Sequence, residues 1–376
     1  MHIERTRFYS HHQQQLAKTS RTAEQALRAI IAVYSAHPSA PLSLYARTKN
    51  FDAKKFRALE ENKRAIRLGA MRGSIHLMPR ETAPQNFFAT IGQDSKMLAR
   101  RMQVANVTVE EYAKFKREVL KNVREPMTVR ALRAATGESE KGLGPLLRAM
   151  SDEGLVMRVG AAGLRSNELR YVPIKAWLGE ELPKADKEKA LVWLAREYLR
   201  AFGPVRMQDF MWWTSNTKTV ATKILAQLET VDVGEGYLLL KENLRAFEKI
   251  KPFAKDVIDV VPKWDCYTMG YAPDGRERFV SRDMQSRIYD LAGDGYGAIL
   301  LNGLAVAAWD LRAAGGKRGA QDNLDVNLDW FEKPSAKLKQ AVIAEIEFVA
   351  KFLECGKVTI QHLGDELTSR ALGRLR

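Results

Sequence analysis

Residues 121–174 read KNVREPMTVR ALRAATGESE KGLGPLLRAM SDEGLVMRVG AAGLRSNELR YVPI, and this stretch decides the fold. A helix ahead of it, Thr108 to Val123, sets Tyr112, Phe115 and Val119 on one face at helical spacing, and Pro126 stops it. A short second helix, Thr128 to Ala135, ends at Gly137. A third, Glu138 to Glu153, carries Leu143, Leu146, Leu147 and Met150 on one stripe and would be the recognition helix. After Gly154, Leu155 to Val159 and Glu168 to Ile174 read as strands joined by the loop Gly160 to Asn167. The pattern is that of a winged helix with Arg158, Arg165 and Arg170 on its wing. A helix pair and hairpin without a DNA role would give the same spacing, and the wing arginines favour DNA.

Composition bounds the partner. The 376 residues suffice for two to four compact units, and 45% apolar content suits a folded globular chain. Sixty Lys and Arg against 45 Asp and Glu give +15, spread along the chain, and a pI near 9.7. Nucleic acid is the leading partner, and the plainer alternative is a basic enzyme surface. Cys266 and Cys355 are the two cysteines, which excludes a disulfide framework and suits a reducing compartment. No signal peptide is read and no apolar run reaches membrane-spanning length, so a cytoplasmic location without membrane contact is expected.

The periodicity extends on both sides. Thr22 to Tyr34 predicts a helix with Leu27, Ile30, Ile31 and Tyr34 in line, ending in Ser35-Ala36-His37-Pro38. Pro41 to Thr48 and Asp52 to Asn62 predict two more helices, so Ser35 and His37 fall on a bend between helices. Ala65 to Met71 and Ser74 to Met78 predict a hairpin around Gly73, with Arg72 and His76 near its turn. Further on, Lys187 to Phe202, Met207 to Thr214 and Thr217 to Leu228 predict helices, followed by a small hairpin over Val231 to Val233 and Tyr237 to Lys241. From about residue 255 strands dominate: Val257 to Val261, Ala298 to Leu301, Leu304 to Asp310 and Leu324 to Trp330, with Asn302-Gly303 as a two-residue hairpin turn. Ser335 caps a last helix, and Arg370, Arg374 and Arg376 close a basic tail. The expected class is α+β: tandem winged-helix units followed by a C-terminal β-barrel-like domain. The boundaries are 1–107 for a first winged-helix-like unit, 108–180 and 181–252 for a second and third, 253–332 for the barrel-like domain, and 333–376 for the C-terminal helix and tail.

Ser35-Ala36-His37-Pro38 with Leu44-Tyr45-Ala46-Arg47, and Met71-Arg72-Gly73-Ser74-Ile75-His76-Leu77, resemble the N-terminal signature of the winged-helix DNA glycosylases of the AlkZ and YcaQ type. Phe202-Gly203-Pro204 through Asp209-Phe210-Met211-Trp212-Trp213-Thr214 resembles that family's third winged helix, and Val261-Pro262-Lys263-Trp264-Asp265-Cys266-Tyr267-Thr268-Met269-Gly270 its passage into the β-domain. The similarity runs over roughly residues 20–312. It implies excision of bulky or cationic alkylated purines, interstrand crosslinks among them, with double-stranded DNA bearing alkylated bases as partner.

The resemblance also implies a catalytic position. The family carries Gln-x-Gln or Gln-x-Asp at the bend, where it orients and activates the attacking water, and here the matching positions hold Ser35 and His37. A neutral imidazole can accept a proton from water and a hydroxyl can place that water, so both are the expected catalytic residues. The plainer reading of His37 is a hydrogen bond at a helix end. Arg72, His76 and Asp265 are second candidates, lining the lesion site, against simple turn and capping roles. Arg148, Arg158, Arg165, Arg170, Arg206 and Lys218 are the expected phosphate contacts. Trp212 and Trp213 are expected in the core. The histidines and cysteines show no metal-ligand spacing and no phosphate-binding glycine loop occurs, so neither a metal nor a small-molecule cofactor is expected, and a monomer is. The competing class is a non-enzymatic DNA-binding protein such as a regulator.

Overall fold

The computed structural model describes residues 3–35, 38–92, 95–137, 140–160, 163–166, 168, 170–291, 293–311 and 323–363. Two compact units form, and neither is one stretch of sequence: Met1–Tyr34, Pro38–Phe56 and Arg196–Arg376 make the first, Ser35–His37 and Arg57–Ala195 the second. Both mix helices and strands, an α+β architecture. No described helix is long and apolar enough to cross a membrane.

In the second unit the helices Val109–Asn122, Val129–Thr136 and Glu140–Asp152 precede the strands Val156–Val159 and Arg170–Pro173. Thr108 opens the first helix with a reciprocal cap: its hydroxyl accepts from the Glu111 N–H at 3.2 Å, and the Glu111 carboxylate accepts from the Thr108 N–H at 2.7 Å. Gly137, at φ 72°, ends the second. Tyr112, Phe115 and Val119 meet Leu143, Leu146, Leu147 and Met150 in one buried cluster, the faces that helical spacing picked out. The hairpin Ala65–Gly69 and Ile75–Pro79 joins the same sheet, whose strands here run Ile75–Pro79, Ala65–Gly69, Val156–Val159, Arg170–Pro173, Met127–Thr128, all antiparallel.

The expected recognition helix departs from its assigned part. Besides its leucines, Ala149, Ser151 and Asp152 of Glu140–Asp152 are buried, which leaves no open groove-reading face on its C-terminal half. The cause is the helix Ser95–Ala105, which the sequence reading passed over. Its Leu98 and Met102 pack on the same cluster, and Arg101 Nε donates to Asp152 at 3.1 Å.

The first unit holds a five-stranded sheet in the order Lys357–Leu363, Asn323–Trp330, Leu304–Leu311, Gly297–Leu301, Ile258–Val261. Asn302 and Gly303, at φ 52° and 75°, make the expected tight turn between two of these strands. Among the described residues the two outer strands do not pair, so the sheet is open where a barrel was expected. Lys357–Leu363 corrects a second expectation: this segment, read as tail, lies parallel to Asn323–Trp330 after the crossover helix Ala336–Phe352. Arg370, Arg374 and Arg376 lie outside the described residues. The predicted helix Thr22 to Tyr34 is shorter, Ala23–Ala29, with Val33–Tyr34 extended. Leu27, Ile30 and Ile31 are buried as expected and Tyr34 is half-buried, but β-branched residues serve an extended segment as readily as a helix. Trp213 stacks on Tyr198 with ring centroids 4.8 Å apart, as core. Trp212, its neighbour on Met207–Thr214, is half-buried because successive helical side chains diverge by about 100°.

Arg47 and Asp265, both fully buried, tie this unit together. Arg47 Nη1 and Nη2 each donate to the Asp265 carboxylate at 2.8 Å. Its remaining N–H groups reach the Gln14 backbone carbonyl at 2.9 Å, the Gln14 side-chain oxygen at 3.3 Å and the Ser43 carbonyl at 2.8 Å, and Gln14 Nε2 donates to the Ala201 carbonyl at 2.7 Å. Three stretches of chain thus meet at one guanidinium, and Gln14 ties in a fourth at Ala201. Asp265→Ala leaves that charge buried and unpaired and should cost about 3–5 kcal/mol in urea unfolding. Adding Arg47→Met should restore part of the loss, since the Gln14 and Ser43 carbonyls would still lack their donor. Equal stability of the native and Asp265→Ala chains would contradict this account.

Candidate active site and nucleic-acid surface

Ser35 is built into the second unit by every polar atom it has. Its N–H and its hydroxyl both donate to the Ile75 carbonyl, each at 3.0 Å, and its own carbonyl accepts from Arg67 Nη1 at 3.1 Å. Arg67 in turn forks onto Glu60, Nε to Oε1 and Nη2 to Oε2, both 2.8 Å. Gly160 closes over the pair. Its N–H donates to Glu60 Oε1 at 3.3 Å, and a methyl group there would stand 2.5 Å from Arg67 Nη2. The Ser35 hydroxyl proton is therefore committed, and towards a water this oxygen can act only as an acceptor. Ala36 and His37, the other expected catalytic position, lie outside the described residues.

Arg67 and Glu60 were not among the sequence candidates. A signal was present: Ala65-Ile66-Arg67-Leu68-Gly69 is an apolar strand with one charge in it, and a strand buried along its whole length obliges that charge to find a carboxylate.

The three lesion-site candidates separate. Arg72 is exposed in the turn of the hairpin, at φ 55° beside Gly73 at 68°. His76 is buried on the following strand, with Nδ1 3.1 Å from the Ser74 carbonyl, so in the neutral ring this nitrogen carries the proton and donates. Burial pulls its pKa down to about 4, against the Ser74 bond, and at neutral pH it is uncharged. Asp265 belongs to the first unit and is fully buried in the Arg47 fork, where it also caps the Tyr267 N–H at 2.9 Å. Its lone pairs are spent on structure.

Most of the six expected phosphate contacts have internal work. Arg148 Nε donates to Asp152 at 3.1 Å and its Nη2 to the Gly73 carbonyl. The Arg158 guanidinium stands 5.0 Å from the centre of the Tyr171 ring, and burial lowers its pKa, Tyr171 opposing and Arg148 reinforcing. Arg170 Nη2 donates to the Gly160 carbonyl at 2.6 Å, and Arg206 lies over the Tyr237 ring at 4.9 Å. Arg165 is half-buried, whereas Lys218, at the start of the helix Lys218–Leu225, is exposed. The exposed positive charge of the second unit lies elsewhere. Lys114, Arg117 and Lys121 recur at helical spacing along Val109–Asn122, and Arg130 and Arg133 do so on the touching helix Val129–Thr136. Reading periodicity for basic residues as well as apolar ones would have found them.

A basic helical face on a mixed α+β architecture is compatible with a protein that acts on nucleic acid, and comparison supplies the class. A family model described as DNA glycosylase AlkZ-like matches residues 27–352. The chain belongs to the AlkZ-like DNA glycosylase family. Among solved structures, the Streptomyces sahachiroi DNA glycosylase AlkZ superposes with a TM-score of 0.74 over 96% of this chain and 99% of that one, at 17% identity, a likeness of fold. No curated protein matches the chain.

His76 sets an acid limit on stability. An unfolded histidine titrates near pH 6.5 and the folded one near 4, so between these values the unfolded chain binds more protons. The contribution of this residue is complete above about pH 6.5, falls as pH drops towards 4 and levels below that, at up to about 1.4 kcal/mol per pH unit. In urea titrations over that window His76→Gln should show a shallower loss of stability than the native chain. Parallel slopes would remove His76 as the cause.

Proposed function

We propose that this protein is a monofunctional DNA glycosylase that releases N7-alkylated purines, bulky and crosslinked adducts among them, from duplex DNA by attack of water at the sugar carbon. The observation that carries the reading is the family match over residues 27–352, which takes in the Ser35–Pro38 bend. An N7-alkylated purine is cationic and leaves readily, so the protein need supply placement of water and electrostatic support for an oxocarbenium-like sugar. His37 is assigned the role of base towards the water. Ser35, whose oxygen retains acceptor capacity, is assigned the start of that bend. The wider architecture supports the same reading as tandem winged-helix units over 108–180 and 181–252, offering Lys114, Arg117, Lys121, Arg130, Arg133 and Lys218 to the DNA backbone. A purely DNA-binding regulator would share that surface but release no base.

Release of 7-methylguanine from duplex DNA tests the activity directly. The native chain should excise, and His37→Ala should bind the duplex normally while excising at least about a hundredfold more slowly, the scale of a lost general base. Because the base must be neutral to accept a proton, excision should decline with acidity while binding holds. Native-rate excision by His37→Ala would remove the assignment, and absence of release by the native chain would leave the regulator.

Binding itself should weaken with salt as counterions return to the phosphates. Replacing Arg117 and Lys121 together by Ala should weaken binding to all sequences alike and flatten the slope of log affinity against log salt by nearly one per lost contact. An unchanged slope would move the DNA surface off this helix.

A further inference from the structure

We propose that Arg101, Arg148 and Arg158, gathered around the carboxylate of Asp152, form a site that seats one phosphate group of the DNA backbone. The inference deepens the reading of this chain as a protein that acts on duplex DNA, and rests on it. All four residues belong to the second unit. Arg101 Nε donates to Asp152 Oδ2 and Arg148 Nε to Asp152 Oδ1, each at 3.1 Å, so both oxygens of the carboxylate are engaged. Arg148 Nη2 is fixed on the Gly73 carbonyl, and Arg158 lies over the Tyr171 ring. Burial lowers the Arg158 pKa, Tyr171 opposes the change and Arg148 adds to it, which puts the two guanidiniums within reach of each other's charge.

The balance of charge sets this cluster apart. Arg47 with Asp265 and Arg67 with Glu60 match one guanidinium to one carboxylate. Around Asp152 three guanidiniums face one carboxylate among the described residues. The adjacent Glu153 turns instead to Lys116, at 3.1 Å, and to the Tyr112 hydroxyl. Arg67, opposite Arg158 on the neighbouring strand, is already matched by Glu60 and adds no anion. The Arg101 and Arg148 side chains keep 32% and 21% exposure, open to a partner from outside yet less screened by water than a free surface lysine. Arg158 Nε has no hydrogen-bond partner among the described residues, a donor that the fold leaves unused. Positive charge in excess, half withdrawn from water and held in place by carboxylate, carbonyl and ring, suits an oxyanion. A phosphate brings the missing negative charge and accepts charge-assisted bonds from several guanidinium N–H groups at once.

The test compares the native chain with Arg148→Gln, Arg158→Gln and the two together, with Arg101 left to hold Asp152. Each is measured for thermal midpoint, with and without inorganic phosphate at constant ionic strength, and for affinity to a 7-methylguanine duplex over a range of salt. The double variant should stay folded, bind the duplex at least about tenfold more weakly, and lose about one from the slope of log affinity against log salt. Because both residues meet the same phosphate, the two single losses should sum to more than the loss of the double. A folded double variant with native affinity and slope overturns the proposal. So does a fall of about two in slope with additive losses, the mark of two separate phosphates. Loss of stabilisation by inorganic phosphate with duplex binding unchanged also overturns it, since the site would then take the free ion. Should the double variant not fold, Arg158→Gln decides alone: weaker binding with a flatter slope supports the proposal, and native binding overturns it. A native chain that binds no duplex strikes the functional reading, and the proposal falls with it. Native binding with an unimpaired double variant strikes only the proposal.

Discussion

The fork between Arg47 and Asp265 is the constraint on which the first unit depends. The two residues are 218 positions apart, and the unit they belong to is assembled from three separate stretches. Apolar burial drives such stretches together but does not choose which face meets which, because it scales with area and has no direction. Two parallel N–H···O bonds of 2.8 Å do choose. Around that fork the first helix, the Ser39–Tyr45 helix, the turn at Asp265 and the end of Lys187–Phe202 take fixed places, through Gln14, Ser43 and Ala201. Arg67 and Glu60 repeat the device in the second unit, where they join a helix end, a hairpin and the Gly160 turn.

The same economy changes how the net charge is read. A formal +15 counts every arginine, yet Arg47, Arg67, Arg276 and Arg278 are buried, the last two facing tyrosine rings at 3.6 and 3.8 Å. Interior arginines of this kind settle desolvation by carboxylates, carbonyls and ring faces, and a polyanion outside does not meet them. What the second unit exposes instead is the helical stripe of Lys114, Arg117 and Lys121 with the neighbouring Arg130 and Arg133, the surface proposed for the DNA backbone. Net charge therefore points to a class of partner and not to particular residues, because sequence alone gives no sign of which cations the fold consumes.

Much of the architecture was legible for a physical reason. The faces built on Tyr112, Phe115 and Val119 and on Leu143 to Met150 follow from helical spacing, and the Asn302-Gly303 turn follows from the left-handed backbone it requires. The misses share a cause as well. Ile3–Gln13 is a mostly polar helix and Ser95–Ala105 a mixed one, so that their burial is decided by what they cover, and Lys357–Leu363 becomes a strand through a parallel partner supplied by a distant segment. The candidate site was half legible. The bend could be found through its resemblance, and Ser35 was named, but the Arg67, Glu60 and Gly160 support arises from three positions up to 100 residues apart that no local pattern links.

That support bears on the proposed reading, in which Ser35 and His37 stand where the resemblance implies glutamines. A glutamine side chain offers both a donor and an acceptor to water and can adapt its own torsions, whereas the Ser35 hydroxyl here has already given its proton to Ile75. On the proposed reading, placement of the water then rests less on the Ser35 side chain than on the base assigned to His37. A cationic purine leaves with little assistance, so the demand on the base is modest and the demand on its placement is not. A guanidinium locked by two bonds to a carboxylate gives a third to the Ser35 carbonyl, so the described end of that segment is held by backbone contacts and not by a free side chain.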